Sequence, residues 1–234
     1  MKAFAFCGPV IYDFPLAEGV KRGVLTKGRV LQLLFEALPL ESCESASIYA
    51  QQVVENDTKI DAWRLMTNHL VANDNYIITL ADRKLHITAL ADVTEHEYRV
   101  ASGATSRRDR LRAQNRFSKG NVQHIIASRI FKKGVSIPRV DVMFDLAEWK
   151  SKNDAIQKFG RGLRLFETKT ELIYIDFGTQ GNNTLGEAAV SRANAFKHSG
   201  IPVTKVKVST PLQALTALKQ FLKKEDPCQQ KLFA

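Results

Sequence analysis

The chain has 234 residues, of which 44% are hydrophobic and 25% charged, so it can bury a real core and is not intrinsically disordered over most of its length. Lysine and arginine number 34 against 24 aspartates and glutamates, which gives a net charge of +10 and an isoelectric point near 9.6. This balance favours a polyanionic partner, most often nucleic acid, although a basic protein that is merely soluble has the same composition.

The first third of the chain predicts a turn-rich opening, then a strand at 29–34 and two helices around 45–54 and 59–72. The apolar stretch at 1–12 is broken by a Gly-Pro pair and has no cleavage pattern, so we do not interpret it as a targeting segment. No stretch reaches the roughly 18 to 20 apolar residues of a membrane span. We therefore expect a soluble cytoplasmic protein with no membrane partner.

From residue 76 onward, short β-rich runs alternate with amphipathic helical stretches. Strands are predicted at 76–80, 98–101, 124–128, 140–146 and 172–177. Helices are predicted at 83–92, 107–118, 184–198 and 211–224, with a short one capped at Asn153 or Asp154 and ending at Phe159. This alternation is typical of a parallel sheet covered by helices on both faces, hence an α/β fold. We expect one core at 28–208, preceded by a helical preface and followed by a C-terminal helix and loose basic tail at 209–234.

Cysteine and histidine form no recognisable pattern in this sequence. Cys7, Cys43 and Cys228 are odd in number and far apart, and the five histidines lack the close ligand pairs that a zinc site needs. We expect a reducing compartment, no disulfide bond, and no metal held by Cys or His.

Three polar segments follow predicted strands, so we expect them at the carboxyl edge of the sheet, where ligands bind in open α/β folds. The first is Ser102–Thr105, in which Gly103 allows close approach of a ligand to the backbone. Arginines follow it at 107, 108, 110, 112 and 116. Those at 108, 112 and 116 form a stripe on one helical face, which suits a partner anion, although a solvated charged face is the alternative.

The second segment is Ser128–Pro138, in which Gly134 and Pro138 fix a turn between two buried strands; an ordinary connection is the alternative. The third is Gln157–Arg164. Its Arg161 and Arg164 lie beside two glycines, and two guanidinium forks suit bidentate binding of phosphate oxygens. A surface arginine pair without function is the alternative.

The order and spacing of these segments resemble the second RecA-like domain of superfamily 2 helicases, in the branch of phage DNA helicases and restriction-enzyme translocases. Ser128–Pro138 looks like motif V, Gln157–Arg164 looks like motif VI, and Ile77–Leu90 lies where motif IV belongs. Gly103 with Arg110 matches the Gly-to-Arg signature that follows motif IV. Residues 1–27 are similar to the segment that links the two RecA-like domains. The resemblance implies a RecA-like three-layer sandwich with a mostly parallel central sheet.

The resemblance also implies residue roles. Arg161 and Arg164 would be arginine fingers, projecting from the carboxyl edge towards the phosphates of ATP across a cleft that another domain completes. Lys158 stands where the family usually has arginine, so it keeps the charge and loses the planar fork. The residues implied to serve the nucleotide are Gln157, Gly134, Ser136 and Gly160. Those implied to contact nucleic acid are Gly103, Thr105, Arg110, Ser128 and Arg129, with Trp149 either stacking on a base or packing.

The sequence lacks a G-x-x-x-x-G-K-[ST] phosphate loop and an acidic pair for magnesium. We therefore expect the C-terminal half of an ATP-dependent helicase, either a fragment or a natural half that works with a partner chain. ATP and Mg²⁺ would be bound mainly by the N-terminal RecA-like domain, and this chain alone would not hydrolyse ATP.

The resemblance favours DNA over RNA as the substrate. The alternative is a non-catalytic nucleic-acid or protein docking module derived from a helicase domain, which would not need the arginine pair. Burial of Arg161 and Arg164 in internal ion pairs, or a position on the opposite rim of the sheet, would overturn the motor interpretation.

Overall fold

The computed structural model of the chain describes residues 16–39, 44–128, 137–148 and 152–223. Among them, seven strands form one sheet in the order β3-β4-β2-β5-β6-β1-β7, and every neighbouring pair is parallel. The strands are β1 (Lys27–Glu36), β2 (Ile77–Leu80), β3 (Tyr98–Ala101), β4 (His124–Ala127), β5 (Val142–Asp145), β6 (Glu171–Gln180) and β7 (Val203–Val208). The predicted α/β, RecA-like class is confirmed.

The helices of the described residues are α1 (Leu16–Lys21), α2 (Ser45–Tyr49), α3 (Asp57–Val71), α4 (Lys84–Asp92), α5 (Arg107–Ser118), α6 (Lys152–Gly162), α7 (Asn183–His198) and α8 (Pro211–Lys223). A π-helical segment, Ala50–Val54, continues α2. Polar side chains begin several of them: Ser106 caps α5 by accepting from the backbone N–H of Asp109, and Asn182 caps α7 in the same way. No described helix has the length and apolar character needed to cross a membrane.

Helices cover both faces of the sheet, and each face has its own apolar cluster. On one face α3 and α8 pack against the central strands through Trp63, Met66 and Phe221. On the other face α6 and α7 pack through Phe159 and Phe196. Because both faces are covered, the central strands are continuous apolar runs, which explains why the sequence marked them clearly.

Two features of the C-terminal region follow from the structure. β7 was not among the strands predicted from apolar runs, because its alternating lysines, Lys205 and Lys207, are exposed on an edge strand. It begins shortly after Gly200, where the helicase resemblance implies a closing strand. The helix expected from 211 is present as α8, and its residues Ala214, Leu218 and Phe221 are buried in the core.

Candidate functional site

Helix α6 carries most of the segment that resembles motif VI. The spacing of its apolar residues determines which side chains are buried and which reach solvent. Ala155, Phe159 and Leu163 are buried against the sheet, whereas Gln157 and Arg164 are exposed. Arg161 is partly exposed and has interactions of its own. Gln157 also lines an open groove of about 670 Å³ between α6 and α7, together with Asn194 and His198 on α7.

Two glycines let α6 approach the sheet closely. A Cβ at Gly162 would lie 2.6 Å from the Leu172 side chain and 2.7 Å from Sδ of Met143. A Cβ at Gly28 on β1 would lie 2.6 Å from the ring of Phe159. Such distances are shorter than real contacts, so glycine is required at both positions for the helix to pack as it does. The end of α6 is thus pressed against the start of β1 and β6.

The last turn of α6 is fastened to the amino end of the sheet. The backbone N–H of Thr26, just before β1, donates to the carbonyl of Leu163 at 2.7 Å. The Lys169 amino group donates to the carbonyl of Gly162, placing a positive charge at the C-terminus of the helix, where the macrodipole favours it. Burial lowers the pKa of Lys169 to about 8.

The expectation that Arg161 and Arg164 project from the carboxyl edge is therefore wrong. α6 starts after the carboxyl end of β5 and has 11 residues, so it rises about 16 Å and its last turn reaches the opposite, amino end of the sheet. Arg164 is exposed and forms none of the internal ion pairs found among the described residues. The motor interpretation in the form drawn from the sequence, with the arginine pair at the carboxyl edge, is thereby overturned, and a motor role needs evidence of another kind.

Lys158 is the centre of a buried ion-pair network that joins α6 to β5. Its amino group lies 2.7 Å from Asp145 and 3.2 Å from Asp154, and the Tyr174 hydroxyl donates to Asp145 at 2.7 Å. Burial alone would raise the pKa of Asp145, but the charge and hydrogen bond of Lys158 outweigh it and hold this pKa below its usual value. Lysine at this position therefore fastens the helix rather than facing a ligand.

At the carboxyl edge, the turn Ser102–Thr105 is held by its own side chains and by Arg110. The Ser102 N–H donates to Oγ1 of Thr105 at 3.1 Å, and the Ala104 N–H donates to Oγ of Ser102 at 3.3 Å. Nη1 of Arg110 donates to the carbonyls of Thr105 at 2.8 Å and Ser102 at 3.2 Å. These two bonds use Arg110 to brace the turn, while Gly103 is exposed at its tip.

The predicted nucleic-acid residues are only partly within the described chain. Ser128 follows β4, beside the turn after β3, and its N–H donates to the carbonyl of Ala101 at 3.0 Å, so Gly103, Thr105 and Ser128 share one corner of the carboxyl edge. Of the other residues predicted to contact nucleic acid, Arg129 and Trp149 lie outside the described residues, as do Gly134 and Ser136, which were predicted to serve the nucleotide. The structure thus separates two groups: the turn residues at the carboxyl edge and the arginines at the amino end.

Sequence analysis missed two further buried polar clusters. Lys59 pairs with Glu148 and donates to Thr179 at 2.7 Å, all above the carboxyl ends of β5 and β6. Arg192 on α7 pairs with Asp176 on β6 at 2.8 Å. Charged residues inside an apolar run, as Asp176 is in LIYIDF, are the signal that could have revealed the second cluster. In the part of the chain that the structure describes, no group of three or more His, Cys, Asp and Glu side chains could hold a metal ion.

Part of the chain matches a known protein family. Residues 59–166, somewhat less than half of the chain, match the family model described as helicase conserved C-terminal domain. This segment is therefore similar to helicase C-terminal domains. The matched range runs from α3 to just beyond α6 and includes the turn at Gly103 and both Arg161 and Arg164. No curated protein matches the sequence.

Solved structures of helicase-like motors have the same fold. A fragment of a putative HsdR subunit of a type I restriction enzyme from Vibrio vulnificus YJ016 has a TM-score of 0.66 and 18% identity, covering 88% of this chain and 41% of that chain. The Type ISP restriction-modification enzyme LlaBIII bound to DNA has a TM-score of 0.62 and 15% identity, covering 97% of this chain and 19% of that chain. S. cerevisiae Dbp5 bound to RNA and ADP BeF3 has a TM-score of 0.55 and 16% identity, covering 84% of this chain and 46% of that chain.

At these identities the likeness shows the fold alone. The chain spans less than half of the length of each of these three proteins.

Proposed function

We propose that this chain is the second motor domain of an ATP-dependent DNA helicase or translocase. Arg161 and Arg164 would act as arginine fingers on ATP, which a first RecA-like domain binds together with Mg²⁺. The observation that carries the proposal is the helicase C-terminal match over 59–166, which ends just beyond these two arginines.

The fastening of α6 supports a catalytic use of its last turn. A transition-state contact needs a guanidinium group that is already in position, because a mobile one loses entropy on ordering. The bonds from Thr26 and Lys169 and the close packing at Gly162 all fix the backbone within three residues of Arg161 and Arg164. Guanidinium forks match phosphate oxygens, and bound ATP supplies the γ-phosphoryl group that is transferred to water.

The two ends of the sheet would then have different tasks. At the amino end, Arg161 and Arg164 would face the cleft that the first RecA-like domain completes. At the carboxyl edge, Gly103, Thr105 and Ser128 would contact the sugar-phosphate backbone, with Arg110 holding the turn in shape. Contacts of this kind give affinity without sequence specificity and weaken with salt.

DNA is the substrate that we propose, on the strength of the structural neighbours. The two with the higher TM-scores reported above come from restriction enzymes, and LlaBIII is bound to DNA. Dbp5, at a lower TM-score, is bound to RNA.

The test is the nucleic-acid-stimulated ATPase activity of this chain joined to a first RecA-like domain that carries a phosphate loop. Arg161→Ala and Arg164→Ala should each lower the stimulated rate by about 10³-fold or more, the effect of losing an arginine finger. Arg64→Ala is the matched control, because Arg64 is on α3 and its ion pairs among the described residues are with Asp61 and Glu95 near the surface. Full activity in both finger variants would refute the proposal, whereas stimulation by single-stranded RNA in place of DNA would overturn only the choice of substrate.

A further inference from the structure

The outer face of α5 carries several exposed arginines. Residues 97–119 contain seven arginines and lysines and two carboxylates, a net charge of +5, which is half of the +10 of the whole chain. Only Ala113 and Phe117 of α5 are buried. Arg108, Leu111 and Arg112 are exposed side by side on the face that points away from the sheet.

Neighbouring carboxylates leave most of this charge unbalanced. Arg112 approaches Asp109 only at 3.5 Å, and Arg116 shares Glu97 with Arg99. Within the part of the chain that the structure describes, Arg107 and Arg108 form no ion pair. Exposed ion pairs of this kind contribute little to stability. The face therefore keeps a net positive charge.

The first two arginines also lie where helix electrostatics oppose them. Arg107 and Arg108 are the first two residues of α5, next to the positive end of the helix macrodipole. Ser106 Oγ already accepts from the backbone N–H of Asp109 in this turn and donates to the Asp109 carboxylate. Two cations at this place do not stabilise the fold, and a bound anion would relieve the repulsion between them.

We propose that this face, defined by Arg108, Arg112 and Arg116, docks the phosphate backbone of a duplex DNA arm beside the strand on which the motor moves. The proposal rests on the proposed function for its position: α5 begins directly after the turn Ser102–Thr105, so the duplex would lie next to the strand contacts at Gly103. Arginines at i, i+4 and i+8 span about 12 Å along the helix, which allows each to meet a different phosphate.

The side chains of the face favour a duplex over a single strand. Sequence-tolerant binding of single strands relies on aromatic side chains on which the bases stack. The aromatic residue of α5, Phe117, is fully buried in the core, and the exposed residues of the helix offer charge and no ring. Such a surface can bind phosphates whose bases are paired and out of reach.

Equilibrium binding of the 234-residue chain to DNA tests this docking face without ATP or the upstream domain. Fluorescence anisotropy would compare a labelled duplex of about two helical turns with a single strand of the same length. In Arg108→Gln/Arg112→Gln, the Kd for the duplex should rise about tenfold, and the slope of log K against log salt should shrink by about 0.9 for each phosphate that the variant no longer neutralises. Binding of the single strand should change little.

Two controls distinguish binding at this face from a general effect of the net charge of the protein. Lys205→Gln/Lys207→Gln removes the same charge from exposed positions of β7, the strand at the other edge of the sheet, and should leave duplex affinity nearly unchanged. Arg108→Lys/Arg112→Lys keeps the charge and should retain most of the salt slope.

An unchanged duplex affinity in the double glutamine variant overturns the proposal. So does an equal loss in the β7 control, an equal loss for single strands, or a wild-type chain that does not bind duplex DNA at low salt. Because no outcome depends on Arg161 or Arg164, failure of the motor proposal and failure of this docking face are told apart.

Discussion

Helices α5 and α6 both carry basic residues at helical spacing after a strand, yet the fold uses their charges in opposite ways. On α6, Lys158 is 7% exposed and is enclosed between Asp145 and Asp154. On α5, Arg108 and Arg112 are exposed and weakly paired. The difference follows from the apolar pattern rather than from the charges. Position 158 falls on the buried face of α6. The buried face of α5 consists of Ala113 and Phe117, and Arg116, which lies between them in the sequence, is exposed.

The largest effect that separates the two helices is expected from removing the buried cation. Lys158→Met would leave the Asp145 carboxylate buried without its main charge partner, and breaking a buried pair in this way costs about 3–5 kcal/mol of unfolding free energy. Urea denaturation measures it. In the double variant Asp145→Asn/Lys158→Met the unpaired charge is gone, so much of the loss should be recovered. A single variant as stable as the wild type would show that Lys158 is not a structural tie.

The same pair predicts a dependence on pH. Because Lys158 holds the pKa of Asp145 below its unfolded value of about 3.9, Asp145 contributes stability that is present above that pH and is lost as the pH falls through the lower, folded pKa. The free energy of unfolding, measured by urea titration from neutral pH downwards, should therefore fall more steeply in the wild type than in Asp145→Asn/Lys158→Met. Equal acid slopes in the two proteins would contradict the assignment.

A smaller effect is expected at the two glycines of α6, and the two should respond with opposite signs. Gly162→Ala places a methyl group against Leu172 and Met143 in the core, an overpacking that costs about 1–3 kcal/mol. Gly160→Ala meets only the Leu16 side chain at 3.7 Å, an ordinary contact, and should gain about 0.5–1 kcal/mol from helix propensity. Thermal unfolding of both variants measures the difference. A Gly162→Ala variant as stable as the wild type would mean that α6 is not pressed onto the sheet at its end.

The elements themselves were largely predictable from sequence, because buried parallel strands and capped amphipathic helices leave strong patterns. β3 and α5 both lie at the predicted residues, 98–101 and 107–118. The position of Arg161 and Arg164 was not predictable from their order after β5, since it depends on how far α6 runs across the sheet before it ends. The role of Lys158 could have been found, because Ala155, Lys158, Phe159 and Gly162 have the spacing of one buried helical face.

The tie between Asp145 and Lys158 was harder to foresee, because it joins β5 to α6 through side chains that the sequence shows only as separate charges. The same holds for Arg110, whose bonds to the carbonyls of Ser102 and Thr105 depend on the shape of the turn. Such contacts depend on tertiary packing, so the spacing of residues in the sequence does not predict them.

The smallest predicted effect tests whether the cations of α5 serve the fold at all. Arg108→Gln removes a charge next to the positive end of the macrodipole, so in low salt and without DNA it should raise the free energy of unfolding by a few tenths of a kcal/mol. Arg116→Gln makes the same chemical change in the last turn, where the dipole favours a cation and Glu97 lies 3.1 Å away, so it should lower stability by a similar amount. Glutamine and arginine have similar helix propensities, so propensity does not account for opposite signs.

Urea denaturation at low and high salt measures the change in unfolding free energy of both variants. Both changes should vanish at high salt because exposed charges are screened. A loss of stability in Arg108→Gln would mean that this arginine is kept for the fold, and the case for a ligand at the first turn of α5 would then have to stand on binding data alone.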